Sequence, residues 1–373
     1  MASFRLTDPL LPAIAHDLDS TVVAVSTAVT SYMLGYGLFQ LVYGPLGEKV
    51  GKVRVMAFAL ALCSVATAAC ATIQTIPMLA FLRLLGGITA GAVVPLALAH
   101  IGDTVPYNAR QTTIGHYLAA TVTGQIVGGS LAGMFAEFFG WRLAFVAVGA
   151  IGIVVSILLG RLALTLPRPT PVPAGGRTTH LSLMKRTEAR IVWGGVFIEG
   201  ILVMGAVPFA GAYLKEHFNL DYLTIGLVYA SFGVGGLLYS GTVKKLVPLL
   251  GERGLVITGG LLVALSYVTM AIAPVWQLFI AALGCIGFGF FCMHSTLQTR
   301  ATELAPEARA TALSGFAFCL FLGQGSGVWL MGRFVDGPGY TWGFVSAAAG
   351  VAILAVWLRW ALTAAPRSQT RHS

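Results

Sequence analysis

Glu199 is the acid whose setting in this sequence most needs an explanation. It stands in W-G-G-V-F-I-E-G-I-L-V-M-G, an apolar run that begins near Arg190. In a helix starting there it lies about 13.5 Å along the axis, close to the middle of a hydrocarbon layer about 30 Å thick. Apolar surroundings favour the neutral form of a carboxyl group. At this depth Glu199 can bind a proton and release it as its access alternates. The alternative is a carboxyl held by an internal hydrogen bond, or by a partner such as His294 or Arg83. Arg83 lies roughly 9 Å inside its own apolar segment. An arginine there is costly and is a functional candidate by default, unless it snorkels to an interface or ties helix ends together. His100, His116 and His294 lie in or near apolar segments, where a histidine is more often a satisfied polar contact than a proton carrier. Gln125 and Gln324 could line a cavity. So could Tyr32, Tyr36, Tyr43 and Tyr117, although aromatic residues at a lipid interface are as common.

None of these residues is arranged for covalent chemistry. No nucleophile is clustered with a base, and no metal-ligand spacing is present. The five cysteines, Cys63, Cys70, Cys285, Cys292 and Cys319, all fall in apolar stretches and read as small buried hydrophobes. The phosphate-binding pattern Gly-x-x-x-x-Gly-Lys-(Ser/Thr) is absent, which argues against direct ATP drive. The chain does not read as an enzyme. It needs no cofactor beyond an ion gradient, for which the proton is the candidate.

The elements that must hold these residues are membrane-spanning helices. Hydrophobic residues make up 57% of the 373, and only 10% are charged, against about 25% in soluble domains. Lipid must solvate much of the surface. Apolar spans of roughly 20 residues are expected at 22–44, 53–73, 77–100, 112–136, 142–164, 190–213, 223–243, 254–273, 275–299, 311–333 and 341–363. The net charge of +9 is confined by this layout. Lys49, Lys52, Arg54, Lys185, Arg186, Lys244, Lys245, Arg300 and their like share one side, and the other carries Arg142, Lys215 and Arg333. The basic side is expected to be cytoplasmic, together with the linker and the C-terminus. Topology accounts for the charge and leaves nothing for nucleic acid to explain.

The two halves repeat. At a shift of 199 positions Gly124-Gln125 falls on Gly323-Gln324, Gly128 on Gly327, Ala109-Arg110 on Ala308-Arg309 and Phe145 on Phe344. At 198, Gly35 and Gly37 meet Gly233 and Gly235. Pro9 falls on Pro208, so residues 1–14 correspond to only the second half of the helix at 190–213. The expectation is a sequence that begins inside its first transmembrane helix. Four segments follow: a bundle at 1–164, a Pro- and Gly-rich linker at 165–189, a six-helix bundle at 190–364 and a tail at 365–373.

Local motifs carry a family resemblance. G-P-L-G-E-K-V-G-K-V-R, Gly44 to Arg54, resembles the loop signature of the major facilitator superfamily, with Glu48 where Asp is usual. Its elements are Gly44, Leu46, Glu48, Lys49, Gly51, Lys52 and Arg54. The resemblance implies a latch on the cytoplasmic side, made of charges at helix ends that pair in one conformation only. R-L-L-G-G from Arg83 is similar to the family's Arg-x-x-Gln-Gly, with Gly86 in place of Gln. T-G-Q-I-V-G-G, Thr123 to Gly129, resembles the antiporter motif Gly-Pro-x-x-Gly-Gly, with Gln125 in place of Pro. Gly124, Gly128 and Gly129 still offer a close-packing helix face. G-W-R-L-A-F from Gly140 is common in the drug-efflux branch, and Asp8 in T-D-P-L-L-P resembles that branch's first-helix acid.

The resemblance implies an all-α fold of two six-helix bundles related by a pseudo-twofold repeat, here with the first helix truncated. It implies a secondary transporter working by alternating access, with a small-molecule substrate, protons and the lipid bilayer as its partners, in a monomer of a bacterial-type inner membrane. Proton-coupled efflux of small amphipathic molecules or drugs is the leading reading. The alternatives are a sugar or metabolite exporter of the same superfamily and a truncated remnant that does not transport.

Overall fold

The computed structural model describes residues 2–167, 179–305 and 308–364, apart from the side chains of seven residues from Tyr107 to Leu118 and those of Thr363 and Ala364. Residues 168–178 of the expected linker and all of the expected tail lie outside the described residues.

The chain opens with two short helices, α1 (Ala2–Arg5) and α2 (Leu11–Asp17), separated by a 3-10 turn at Asp8–Leu10. Long helices follow: α3 (Val22–Val50), α4 (Lys52–Ala69), α5 (Ile76–Ala90), α6 (Val93–Thr104), α7 (Tyr107–Phe138) and α8 (Trp141–Thr165). The second half comprises the short α9 (His180–Leu183), then α10 (Thr187–Glu199), α11 (Ala210–Phe218), α12 (Tyr222–Ile272), α13 (Leu278–Glu303), α14 (Arg309–Asp336) and α15 (Tyr340–Ala364).

Each expected span has its helix, with three differences in detail. The span at 77–100 is broken into α5 and α6 by a turn at Gly91–Ala92. The spans at 223–243 and 254–273 belong to one helical run, α12, divided at Gly251, where φ is +62°. That is a left-handed conformation that glycine adopts at little steric cost. Nine helices among the described residues are long and apolar enough to cross a membrane, α12 counting once. The third difference is the span at 190–213, which is divided between α10 and α11 by a π-helical turn at Gly200–Met204 and a 3-10 turn at Val207–Phe209. Large apolar side chains face outward on many helices, among them Phe58, Ile151, Leu164 and Ile353, as a lipid-solvated surface requires.

Local chemistry sets the boundaries. Thr21 and Asp221 cap α3 and α12 by accepting the backbone N–H of Ala24 and Thr224. Gly51, at φ +106°, makes the turn from α3 into α4 that the sequence places there. The repeat is visible in the backbone. Pro9 and Pro208 lie in 3-10 turns at Asp8–Leu10 and Val207–Phe209, and α2 and α11 follow them. Within the halves α4 packs on α8, α3 on α5, and α12 on α13 and α15. Between them α3 lies on α14 and α7 on α12. Cys63, Cys70 and Cys292 are buried, but Cys285 and Cys319 are partly exposed. Not all five cysteines are core hydrophobes, because an apolar helix in lipid can turn a cysteine outward at no polar cost.

Candidate functional site

Glu199 is the last residue of α10 and is fully buried. Its Oε2 lies 3.1 Å from Nδ1 of His294 on α13. Oε1 has no hydrogen-bond partner among the described residues. The imidazole is fixed from both sides. It stacks on Phe290 at 4.8 Å between ring centres and meets Phe316 at 5.2 Å. The sequence offered His294 and Arg83 as partners for Glu199, and the helices deliver His294. A neutral imidazole can accept or donate at Nδ1 according to its tautomer. The contact can therefore persist as a carboxylic acid donating to imidazole or as a carboxylate accepting from it. The two forms differ by one proton and one unit of charge.

The helix changes form directly after Glu199. Residues Gly200–Met204 are π-helical, and a 3-10 turn at Val207–Phe209 follows. A π turn widens the helix and upsets its carbonyl partners. Two tyrosines take up the carbonyls concerned. Tyr267 donates to the Val203 carbonyl oxygen. Tyr229 donates to the Val207 and Pro208 carbonyls at 3.0 and 2.8 Å and accepts from the Gly211 N–H at 3.0 Å. On the other side α14 comes close. A Cβ on Gly200 would lie 2.5 Å from the Leu320 carbonyl oxygen, and one on Gly323 would meet the Phe197 carbonyl oxygen. Gln324 is buried at this crossing, with Oε1 unpartnered among the described residues.

A second acid lies across the molecule's centre. Asp8 is buried in the first 3-10 turn, and its Oδ2 accepts from Arg5 Nη1 at 3.0 Å. Arg5 extends its Nη2 to Met204 Sδ at 3.1 Å, and its guanidinium lies 5.7 Å from the Phe232 ring centre. Arg5 also lines a cavity between the halves with Gln125, Ile126, Tyr229, Phe232 and Phe291, among others. Gln125 is thus on the cavity wall, whereas Gln324, its repeat mate, packs between helices. The sequence reading overlooked Arg5 as a site residue, although a cation three residues before a buried acid was a usable signal.

Arg83 is 1% exposed and does not snorkel. It donates to the Ser3 carbonyl at 3.1 Å and lies 3.9 Å over the Tyr32 ring. It anchors the first residues of the chain to α3 and α5. Among the other residues raised from sequence, Tyr36 contacts Phe321 across the halves at 4.3 Å. Tyr43 donates to the Ile88 carbonyl at 2.7 Å, and His116 is exposed.

Among the described residues, the Gly44–Arg54 loop makes its contacts with the first half and the end of α8. Lys52 Nζ bridges Glu48, at 2.9 Å, and Asp103 at the end of α6. Arg54 donates to the Leu166 carbonyl at 3.0 Å. Lys49 and Leu46 are exposed. Asp103 was not singled out from sequence, although I-G-D-T at a helix end offers a counter-charge to the loop. The seams between halves close at the opposite end. Along α3 the close approaches to α14 run from Val23 beside Gly332 to Gly37 beside Phe321. Along α7 they run from Glu137, which accepts the Tyr222 N–H at 2.8 Å, to Ile126 beside Gly233. Gly129 and Gly133 belong to this seam, and Gly128 packs on Ala2. Farther along, a Cβ on Gly44 or Gly241 would meet nothing within 4 Å.

Comparison with known proteins agrees with this architecture. The family model described as Major Facilitator Superfamily matches residues 1–193 and again 192–372. The inner membrane transport protein YnfM of Escherichia coli (strain K12) is 22% identical over 362 residues, covering 93% of this chain and 84% of that protein. A multi-drug resistance efflux pump PmrA homolog of Lactococcus lactis is 24% identical over 340 residues, covering 87% and 83%. The crystal structure of the nucleoside transporter NupG superposes with a TM-score of 0.76 at 14% identity over 96% of this chain and 97% of that one.

Proposed function

This chain belongs to the major facilitator superfamily, and we propose that it is a proton-coupled exporter of small amphipathic molecules working by alternating access. Membership makes it a multi-pass membrane transporter of a small molecule and not an enzyme. The proton coupling, the direction and the amphipathic substrate are our reading. The observation that carries it is the Glu199–His294 pair, a fully buried carboxyl with one oxygen unpartnered among the described residues. It is held by an imidazole at 3.1 Å, where α10 gives way to a π-helical turn. Such a pair can take or lose a proton without losing its hydrogen bond. The π turn and the glycine crossing with α14 put it on backbone that can move when the halves rock.

The basic face, with the linker and C-terminus, is cytoplasmic in this reading. Among the described residues the close approaches between the halves lie toward the outer end, which supports an inward-facing conformation. The Gly44–Arg54 loop acts as the cytoplasmic latch and stands disengaged, with Lys52 paired inside its own half. The unit is a monomer of two bundles, 1–164 and 190–364, in a bacterial inner membrane. The cavity wall supports an amphipathic cargo over a sugar, since Val122, Ile126, Val207, Phe232 and Phe291 outnumber its polar groups. Likeness to a multi-drug efflux pump homolog supports export.

The test is transport in proteoliposomes under an imposed pH gradient, with a panel of dyes and sugars. Glu199→Gln is expected to abolish gradient-driven transport while the protein still folds. Coupling at the native level in that variant would remove Glu199 from the mechanism.

A further inference from the structure

The charge of the cavity bears on the class of cargo. Among its described lining residues Arg5 alone carries a charge. Its guanidinium is incompletely used. Nη1 donates to Asp8 at 3.0 Å, and Nη2 faces Met204 Sδ at 3.1 Å, a thioether that accepts only weakly. Five N–H groups in a planar fork are suited to a carboxylate held by two parallel bonds, and Asp8 does not use them so. It engages one arm through Oδ2, while Oδ1 is buried without a partner among the described residues. Aromatic and aliphatic surface stands beside the guanidinium, with the Phe232 ring centre 5.7 Å away and Phe291 and Ile126 on the same wall.

We propose that Arg5 selects an organic anion, a carboxylate joined to an apolar or aromatic body, and that Asp8 is the resident counter-ion which the cargo's carboxylate replaces. The cargo's apolar body lies against Phe232 and Phe291, and its carboxylate spans both arms of Arg5, the one now given to Asp8 and the one now given to the thioether. A lipophilic cation of the same shape meets a guanidinium at close range and is rejected. Asp8 and the cargo compete for one cation, so neutralising Asp8 strengthens anion binding. This rests on the cavity being the transport site proposed above. It does not rest on coupling to Glu199.

The experiment is equilibrium binding of two fluorescent probes with one aromatic head, dansylglycine and dansylcadaverine, to the full chain in lipid nanodiscs. No gradient is applied, so the result is independent of proton coupling and a failure here leaves the Glu199 test intact. The native chain is expected to bind the acid at least about tenfold more tightly than the amine, one charge-assisted hydrogen bond being worth that much. Arg5→Gln should abolish the preference, Arg5→Lys should keep part of it, and Asp8→Asn should tighten the acid several-fold. Thermal unfolding of each variant checks that it folds. If Arg5→Gln fails to fold, the Arg5→Lys and Asp8→Asn ratios decide. Equal affinity for the two probes, preference for the amine, or no saturable binding of the acid overturns the assignment.

Discussion

Arg5 and Met204 occupy equivalent positions in the two halves, 199 residues apart, and they touch, with Nη2 3.1 Å from Sδ. The contact therefore marks where the pseudo-twofold relation between the halves passes through the molecule. Symmetry is broken at that point, a cation facing a thioether. One half brings charge to the centre and the other brings a polarizable, apolar surface.

Glu199 and His294 should behave as a unit in stability as well as in transport. His294→Phe keeps a ring between Phe290 and Phe316 but leaves both Glu199 oxygens unpartnered. It should cost about 1–3 kcal/mol. The double variant Glu199→Met/His294→Phe removes the polar pair altogether and should recover most of the loss. Thermal unfolding in detergent would measure both, and strict additivity of the two changes would show that the residues do not interact.

The α10–α14 crossing leaves no room for a side chain. Gly323→Val places its Cβ against the Phe197 carbonyl oxygen. The expected cost is about 1–3 kcal/mol, with transport reduced further than stability because the same crossing must move. Gly160→Ala, where a Cβ meets nothing within 4 Å, is the control. Equal effects at the two sites would contradict the packing account.

These contacts also show what the amino-acid sequence makes legible. Hydropathy and proline placement suffice for the spans, and the matched 3-10 turns at Pro9 and Pro208 follow from the repeat. Pairings across helices do not follow. Glu199 had two equally placed candidates, and rotation of α13 and α5 decided for His294 while Arg83 went to Ser3. The π turn at Gly200–Met204 has no residue signature, yet a single extra residue per turn redirects every side chain after it. Arg5 is visible as a charge in an apolar segment, but its place on the cavity wall depends on packing between halves. Lys52 meets Asp103 across 51 positions through helix packing inside one half, which no local pattern specifies.

The start of α12 carries a pH-dependent cap outside the membrane. Asp221 is mostly exposed. Its slight burial would raise the carboxyl's pKa, but hydrogen bonds from the Thr224 N–H and hydroxyl, both 2.7 Å, outweigh this and hold it below the ordinary Asp value of 3.8. A depressed folded-state pKa gives stability that is present above the unfolded value and is lost as pH falls through the folded one. Asp221→Ala should therefore cost about 1 kcal/mol near neutrality, and the difference from the native chain should shrink below pH 3.8. Unfolding scans across that range would show it, and a gap that widens on acidification would count against the cap.

Glu137 reaches from α7 to accept the Tyr222 N–H at 2.8 Å, so one half caps a helix of the other. Glu137→Ala should loosen closure at that end by about 1 kcal/mol, or roughly fivefold in the open population. Hydrogen exchange of the first-turn amides of α12 in nanodiscs would rise accordingly. Unchanged exchange would assign the bond no part in closure.

Just below that cap, at Gly129, Gly133 and Gly226, the seam is bare main chain, and side chains re-enter it only farther along, where Ile126 meets Gly233. Gly226 sits with the Gly129 carbonyl oxygen 3.0 Å and the Gly133 Cα 3.1 Å from where its Cβ would be. Interlocked side chains would have to unmesh whenever the halves tilt, each rotamer change adding resistance. Smooth surfaces of peptide and Cα hydrogen have nothing to unmesh. For the rocking proposed above, α7 and α12 would here form a plain bearing, its friction set by the shape of the backbone, and a single added methyl group would be enough to seize it.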